Sequence, residues 1–84
     1  MRANDVEQDI RIIVAAKAAR VPAEIGGNED FEEDLGLDSL DRLDVLADVE
    51  DELGIRLRED QLSELHTLDD VLKAVGVRPR DRAA

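Results

Sequence analysis

Apolar residues recur every three or four positions along most of the chain, which is the pattern of amphipathic helices. The first helix is predicted to open at Asn4, with Glu7 completing a capping box, and to end before Pro22. The second is predicted to follow an N-cap at Asp38 and to end at Gly54, which suits a left-handed helix end. The buried stripes of these two helices should comprise Val6, Ile10, Ile13, Val14, Leu40, Leu43, Leu46 and Val49 or Leu53.

Two further helices are predicted in the second half of the chain. Residues 59–65 allow about two turns with Leu62 and Leu65 facing inward, and residues 55–57 are predicted to be a connector. Thr67 should cap a last helix that runs to Gly76. The expected fold is all-α: a small four-helix bundle with three longer helices, one short helix and a long loop between the first and second helices.

That loop, residues 20–38, is longer than most connections in a small domain, and such loops are either functional or unstructured. Its acidic residues partly match a calcium-binding loop, but Asp41 stands where that loop needs a bidentate glutamate, so no metal site is predicted. Residues 1–77 are expected to form one domain, followed by a flexible tail at residues 78–84. The apolar residues expected to anchor the loop to the helices are Ile25, Phe31, Leu35 and Leu37.

One serine lies where this loop meets the second helix. Asp38 has the acceptor side chain favoured at an N-cap, so Ser39 should occupy the first turn with its hydroxyl near the surface. Leu40 is expected to anchor the flank of the serine in the core. The chain has no cysteine, His66 lies far from Ser39 in sequence, and no Gly-x-Ser-x-Gly motif is present, so a catalytic triad is not indicated. Ser39 is therefore predicted to be modified by another protein.

The formal net charge is −11, and all of it lies around Ser39. Residues 29–52 contain twelve acidic residues and one basic residue, Arg42, so the remaining residues sum to zero. Such a localised field costs self-repulsion and favours basic partners over nucleic acid or anionic membranes, which predicts a docking surface. Four positions after Asp38, Arg42 is expected to pair with that carboxylate.

Length and composition narrow the class of protein further. Eighty-four residues with 43% hydrophobic content suit one small domain, and no apolar run is long enough to cross a membrane. Without cysteine the chain cannot form disulfides, and no signal-peptide pattern precedes the first helix. A cytoplasmic location is therefore expected, and any thiol that the protein uses must come from an attached group.

The most specific motif is DLGLDSLD at residues 34–41, preceded by Phe31 and followed by VEDELGI at residues 49–55 and by Thr67 at the last helix. Over residues 30–75 this order resembles the acyl carrier proteins. The resemblance implies that Ser39, flanked by Asp38 and Leu40, carries a covalent 4′-phosphopantetheine group, whose thiol bears acyl intermediates as thioesters. It implies a carrier for fatty acid or related biosynthesis and not an enzyme.

The partners that the resemblance implies are a phosphopantetheinyl transferase and acyltransferases, ketosynthases or other acyl-processing enzymes with basic docking patches. Nucleic acid and membrane insertion are not expected, and the carrier should be a monomer. Two alternatives remain: a carrier dedicated to polyketides, nonribosomal peptides or other specialised products, and an acidic helical adaptor with no prosthetic group. The surface expected to meet partners consists of Asp41, Arg42, Leu43, Asp44, Ala47, Asp48, Glu50 and Asp51.

Overall fold

The computed structural model of the protein describes residues 3–77, which form an all-α fold, as predicted. The predicted tail, residues 78–84, lies outside the described residues. A turn of 3₁₀ helix at Pro22–Glu24 interrupts the long loop, and an isolated backbone bridge pairs Asp30 with Thr67. The helices are α1 at Ala3–Ala18, α2 at Ser39–Leu53, α3 at Glu59–Leu62 and α4 at Leu68–Ala74.

The ends of α2 are those that the local sequence predicts. The Asp38 carboxylate accepts a hydrogen bond from the Asp41 backbone N–H at 2.8 Å, which satisfies one of the unpaired donors of the first turn. At the other end, Gly54 has a φ of 67°, and the Ile55 N–H returns to the Glu50 carbonyl at 3.1 Å. Short-range chemistry therefore sets the length of this helix.

Other boundaries differ from prediction, including the end of α4, which lies at Ala74 and not at Gly76. Helix α1 begins at Ala3, so Asn4 lies inside the first turn and not at the predicted cap, while the Glu7 carboxylate pairs with Arg11 at 2.9 Å. Helix α3 is a single turn that stops at Leu62 instead of 65, since so short a helix contributes little stability of its own. The residues after it turn so that Leu65 is still buried, as predicted.

The core confirms most of the predicted apolar positions, including the four in the loop. On α2, however, Leu40 is 72% exposed and Leu43 is 44% exposed, so the prediction that they are buried is wrong. The sequence of α2 carries two overlapping apolar stripes, and the second, centred on Val45, is the buried one. Leu40 lies about 140° around the helix from Val45 and faces outward. The buried apolar residues are Ile10, Val14, Ala15, Ile25, Phe31, Leu35, Leu37, Val45, Leu46, Val49, Leu57, Leu65, Leu68, Val71 and Leu72.

The helices are arranged so that the start of α2 meets the loop and the start of α4. Lys17, near the end of α1, lies 3.0 Å from the Asp44 carboxylate near the start of α2, so these two helices run antiparallel. The backbone N–H of Phe31 donates to the His66 carbonyl at 2.8 Å, which joins the loop to the turn before α4. No helix within residues 3–77 is both long and apolar enough to cross a membrane.

Candidate functional site

Ser39 is the first residue of α2, and its side chain is exposed, as predicted. The hydroxyl donates a long hydrogen bond of 3.4 Å to the Glu32 carboxylate across the end of the loop. Beside it, the Asp38 N–H donates to the Asp41 carboxylate at 3.4 Å, which completes a reciprocal capping box. The serine oxygen is thus accessible to another protein. It lies at a helix start where the capping box satisfies the backbone N–H groups of Asp38 and Asp41.

The loop holds this junction through its buried leucines. Leu35 and Leu37 are 6% and 3% exposed, and between them Gly36 adopts a φ of 73°, which other residues rarely adopt. The Leu37 N–H then donates to the Phe31 carbonyl at 2.8 Å. The backbone entering α2 is therefore fixed by contacts on the loop side, although Leu40 on the other side of the serine is exposed.

Arg42 does not make the predicted ion pair with Asp38. Its guanidinium is partly buried, and one Nη donates to the carbonyl of Leu62 at 2.7 Å and to that of Leu65 at 3.2 Å. These carbonyls follow the single turn of α3, where unpaired acceptors carry partial negative charge and favour a cation. Arg42 thus ties α2 to the segment before α4. That Arg42 reaches the phosphate of a group attached to Ser39, as the resemblance to acyl carrier proteins also leads us to expect, stays a prediction.

The loop in front of Ser39 is closed by Asp30. Its carboxylate accepts from the backbone N–H groups of Glu32 and Glu33 at 2.8 and 2.9 Å. These bonds favour the charged form and hold the pKa of Asp30 below its ordinary value, with smaller contributions from the charges of His66 and Arg42. The turn capped by Asp30 places Glu32 next to Ser39. No sequence motif predicts this contact.

The acidic side chains of α2 fall into two groups. Asp44 and Asp41 lie 3.0 and 3.8 Å from the Lys17 ammonium, and hydrogen bonding to Asp44 is the main cause of the raised pKa of Lys17. The Glu50 carboxylate turns to the α2–α3 connector and accepts from the Leu57 N–H at 2.6 Å. By contrast, Asp48 and Asp51 are exposed and form no salt bridge with a described basic side chain, although the charge of Asp48 adds a small contribution to the raised pKa of Lys17. Leu43 and Ala47 are also exposed on α2.

Comparison with known proteins identifies the family to which this chain belongs. The family described as "phosphopantetheine attachment site" matches residues 8–75, which include the whole junction between the loop and α2. The chain belongs to this family. Proteins named acyl carrier protein are similar to it: one from Exiguobacterium sibiricum is 33% identical over 80% of this chain and 85% of its own length. Another, from Saccharopolyspora erythraea, is 39% identical over 71% and 64%, and one from Thermosynechococcus vestitus is 29% identical over 86% and 89%.

The protein is therefore a phosphopantetheine-bearing acyl carrier, and carriers of this kind are not catalysts. Acyl carrier proteins interact with biosynthetic enzymes and are modified by a phosphopantetheinyl transferase, which attaches the group to a serine. The surroundings of Ser39 fit such a group because its oxygen is exposed and the N-terminus of a long helix favours an anion. A phosphodiester there would remove the donor proton that Glu32 now accepts and place a second anion beside that carboxylate.

Because like charges crowd residues 29–52, we expect added salt to stabilise the fold. Raising sodium chloride from about 0.01 to 0.1 M shortens the Debye length from about 30 to 10 Å, which screens repulsion between neighbouring carboxylates. A gain of about 1 kcal/mol corresponds to about 4–8 °C in melting temperature for a domain of this size. Scanning calorimetry across this range provides the measurement. A melting temperature that does not change with ionic strength would contradict the expectation.

Proposed function

We propose that Ser39 is the attachment residue and that the acyl thioesters on its arm pass between enzymes of fatty acid or related biosynthesis. The observation that carries the proposal is the exposed Ser39 hydroxyl at the N-terminus of α2. The sequence has one other serine, Ser63, whose hydroxyl donates to the Asp60 carbonyl at 3.3 Å just after the short α3. Ser63 lacks both the long helix and the acidic surface that Ser39 adjoins.

The residues around Ser39 have separate roles in this proposal. The Ser39 oxygen forms the ester bond to phosphorus, and the dipole at the N-terminus of α2 favours the negative charge of the phosphodiester. Asp38 holds that turn, while Leu35 and Leu37 keep the loop packed so that the arm leaves from a fixed point. The chain has no cysteine, so the thiol that carries the acyl group belongs to the arm.

Modification and cargo can be tested on the purified chain. Incubation with a phosphopantetheinyl transferase and its pantetheine donor should add one phosphopantetheine mass, and peptide mapping should locate that mass on Ser39. Mass spectrometry of the acyl group on protein from the native host then identifies the pathway. Fatty acyl chains would support a role in fatty acid biosynthesis, whereas polyketide or aminoacyl intermediates would favour a specialised carrier. No added mass would favour the unmodified adaptor.

We also propose that α2 is the docking surface for partner enzymes. The exposed acidic pair Asp48 and Asp51 supports this assignment because neither forms a salt bridge with a described basic side chain. Exposed Leu40 and Leu43 add apolar area next to Ser39, which a partner can bury. Arg42 and Glu50 remain part of the proposed docking surface. Because their charged groups already bind backbone groups of neighbouring segments, they contribute less to docking than Asp48 does.

Reversing one exposed charge should slow association with partners. We expect Asp48→Lys to lower kcat/KM for phosphopantetheinyl transfer about three- to tenfold at low salt, since charges at the edge of an interface mainly set the association rate. The matched control is Glu64→Lys, an equally exposed carboxylate outside α2. Equal losses in both variants would show that total charge matters and that the location of Asp48 does not.

A further inference from the structure

A groove between α1 and α2 lies well away from Ser39. It encloses about 590 Å³ and has an apolar floor beside an acidic wall. Ile12, on the floor, is 46% exposed, which is unusual for an isoleucine facing a groove in a small domain. Asp51, on the wall, is twelve residues from Ser39, or about 18 Å along the helix axis, so this end of the groove lies far from the attachment oxygen, whereas the Lys17 end approaches Asp41. The floor consists of Ile12, Ile13 and Ala16, and the wall of Asp48, Asp51 and Glu52.

The charges of the groove specify the chemistry of an occupant. Lys17, at one end, forms its salt bridges with Asp41 and Asp44, and the charge of Asp48 makes only the smallest contribution to its raised pKa. The three wall carboxylates have no salt bridge to any described basic side chain. A second copy of this chain is disfavoured because each copy carries a net charge of −11. An apolar floor beside three carboxylates instead suits an amphipathic helix with Leu or Ile along one stripe and Lys or Arg beside it.

We propose that this groove is a second docking site, which takes a basic amphipathic helix of a partner enzyme while Ser39 and its arm remain accessible. The inference rests on the proposed docking function of α2 and extends it across to α1. Ile12 supplies the apolar anchor, and Asp48, Asp51 and Glu52 supply charge complementarity. Partners that bind here would contact the C-terminal half of α2. The arm on Ser39, at the other end of the helix, would remain free to enter an active site.

Titration of the full-length chain with a synthetic amphipathic helix tests the site. The probe carries leucines at i, i+3, i+4 and i+7 and lysines on both flanks, and a peptide with glutamate in place of lysine is its control. The lysine peptide should shift the methyl signals of Ile12 and Ile13 and saturate, whereas the glutamate peptide should not. Ile12→Gln should raise the Kd about tenfold. This ratio corresponds to 1.4 kcal/mol, which is close to the free energy gained by burying part of one isoleucine side chain.

Val21→Gln serves as the matched control for Ile12→Gln, and the positions of the shifted signals separate the possible binding sites. Val21→Gln alters an apolar residue that is 57% exposed and does not line the groove, and it should leave the Kd unchanged. Equal losses in Ile12→Gln and Val21→Gln would overturn the site. Shifts at Leu40 and Leu43 without shifts at Ile12 would overturn the groove and leave docking on α2 intact, and no binding by the lysine peptide would contradict both. If neutralising Arg78, Arg80 and Arg82 in the free chain shifts the Ile12 methyl signal, the chain's own terminal segment occupies the groove and the proposal fails.

Discussion

Ser39→Ala should abolish attachment of phosphopantetheine completely while leaving the fold almost unchanged. The hydroxyl is exposed, and its one described hydrogen bond, to Glu32, is long at 3.4 Å, so its removal should change the free energy of unfolding by about 0.5 kcal/mol or less. The variant retains the cap of α2 because Asp38 and Asp41 supply it. Intact mass after incubation with a transferase measures attachment, and chemical denaturation measures stability.

The second serine provides the control. Ser63→Ala removes an exposed hydroxyl of the same kind, and it should accept the group at the wild-type rate. Addition of phosphopantetheine to Ser39→Ala would refute the assignment of Ser39. A large loss of stability in Ser39→Ala would show that the serine has a structural role that its contacts do not reveal.

The position of Ser39 at an exposed helix start was predictable from sequence because it depends on chemistry within a few residues. The cap at Asp38, the glycine at 36 and the end at Gly54 each act on the backbone next to them, so the local pattern places Ser39 at an exposed helix start. The four apolar residues of the loop could also be assigned, since an isolated apolar side chain in a polar loop gains stability only by burial. These features required no knowledge of how the helices pack.

The predictions that were wrong concern features that depend on tertiary packing. Leu40 and Leu43 belong to one apolar stripe of α2 and Val45 to another, and only the position of α1 and the loop determines which stripe is buried. Arg42 and Asp38 have the spacing of a helical ion pair, yet the carbonyl groups of a segment twenty residues away bind the guanidinium. Such a pair on the surface contributes only about 0.3–0.5 kcal/mol, so two hydrogen bonds in a partly buried position outweigh it.

The role of Phe31 leads to the largest expected effect on stability. This residue is the only aromatic residue in the chain and is completely buried, and its backbone bonds both to the turn before α4 and to Leu37 just ahead of the serine. We expect Phe31→Ala to lower the free energy of unfolding by about 3–5 kcal/mol, through lost apolar burial and the cavity that remains. A domain of this size has only about 4–13 kcal/mol in total, so the variant should lose a large share of its stability and unfold at a much lower urea concentration than the wild type. Urea denaturation followed by circular dichroism measures the change.

Phe31→Leu separates the packing of the ring from the backbone contacts of the loop. Leucine fills most of the cavity and leaves the hydrogen bonds to His66 and Leu37 in place, so the loss should fall to about 1–2 kcal/mol. Since the same loop holds the entry to α2, Phe31→Leu should still be modified at Ser39. Modification of Phe31→Ala should fall as its folded fraction falls, and a gain of about 1 kcal/mol from added salt is too small to restore it fully. If Phe31→Ala were as stable as the wild type, the loop would not depend on this side chain, and the leucines on either side of Gly36 would have to hold the serine in place alone.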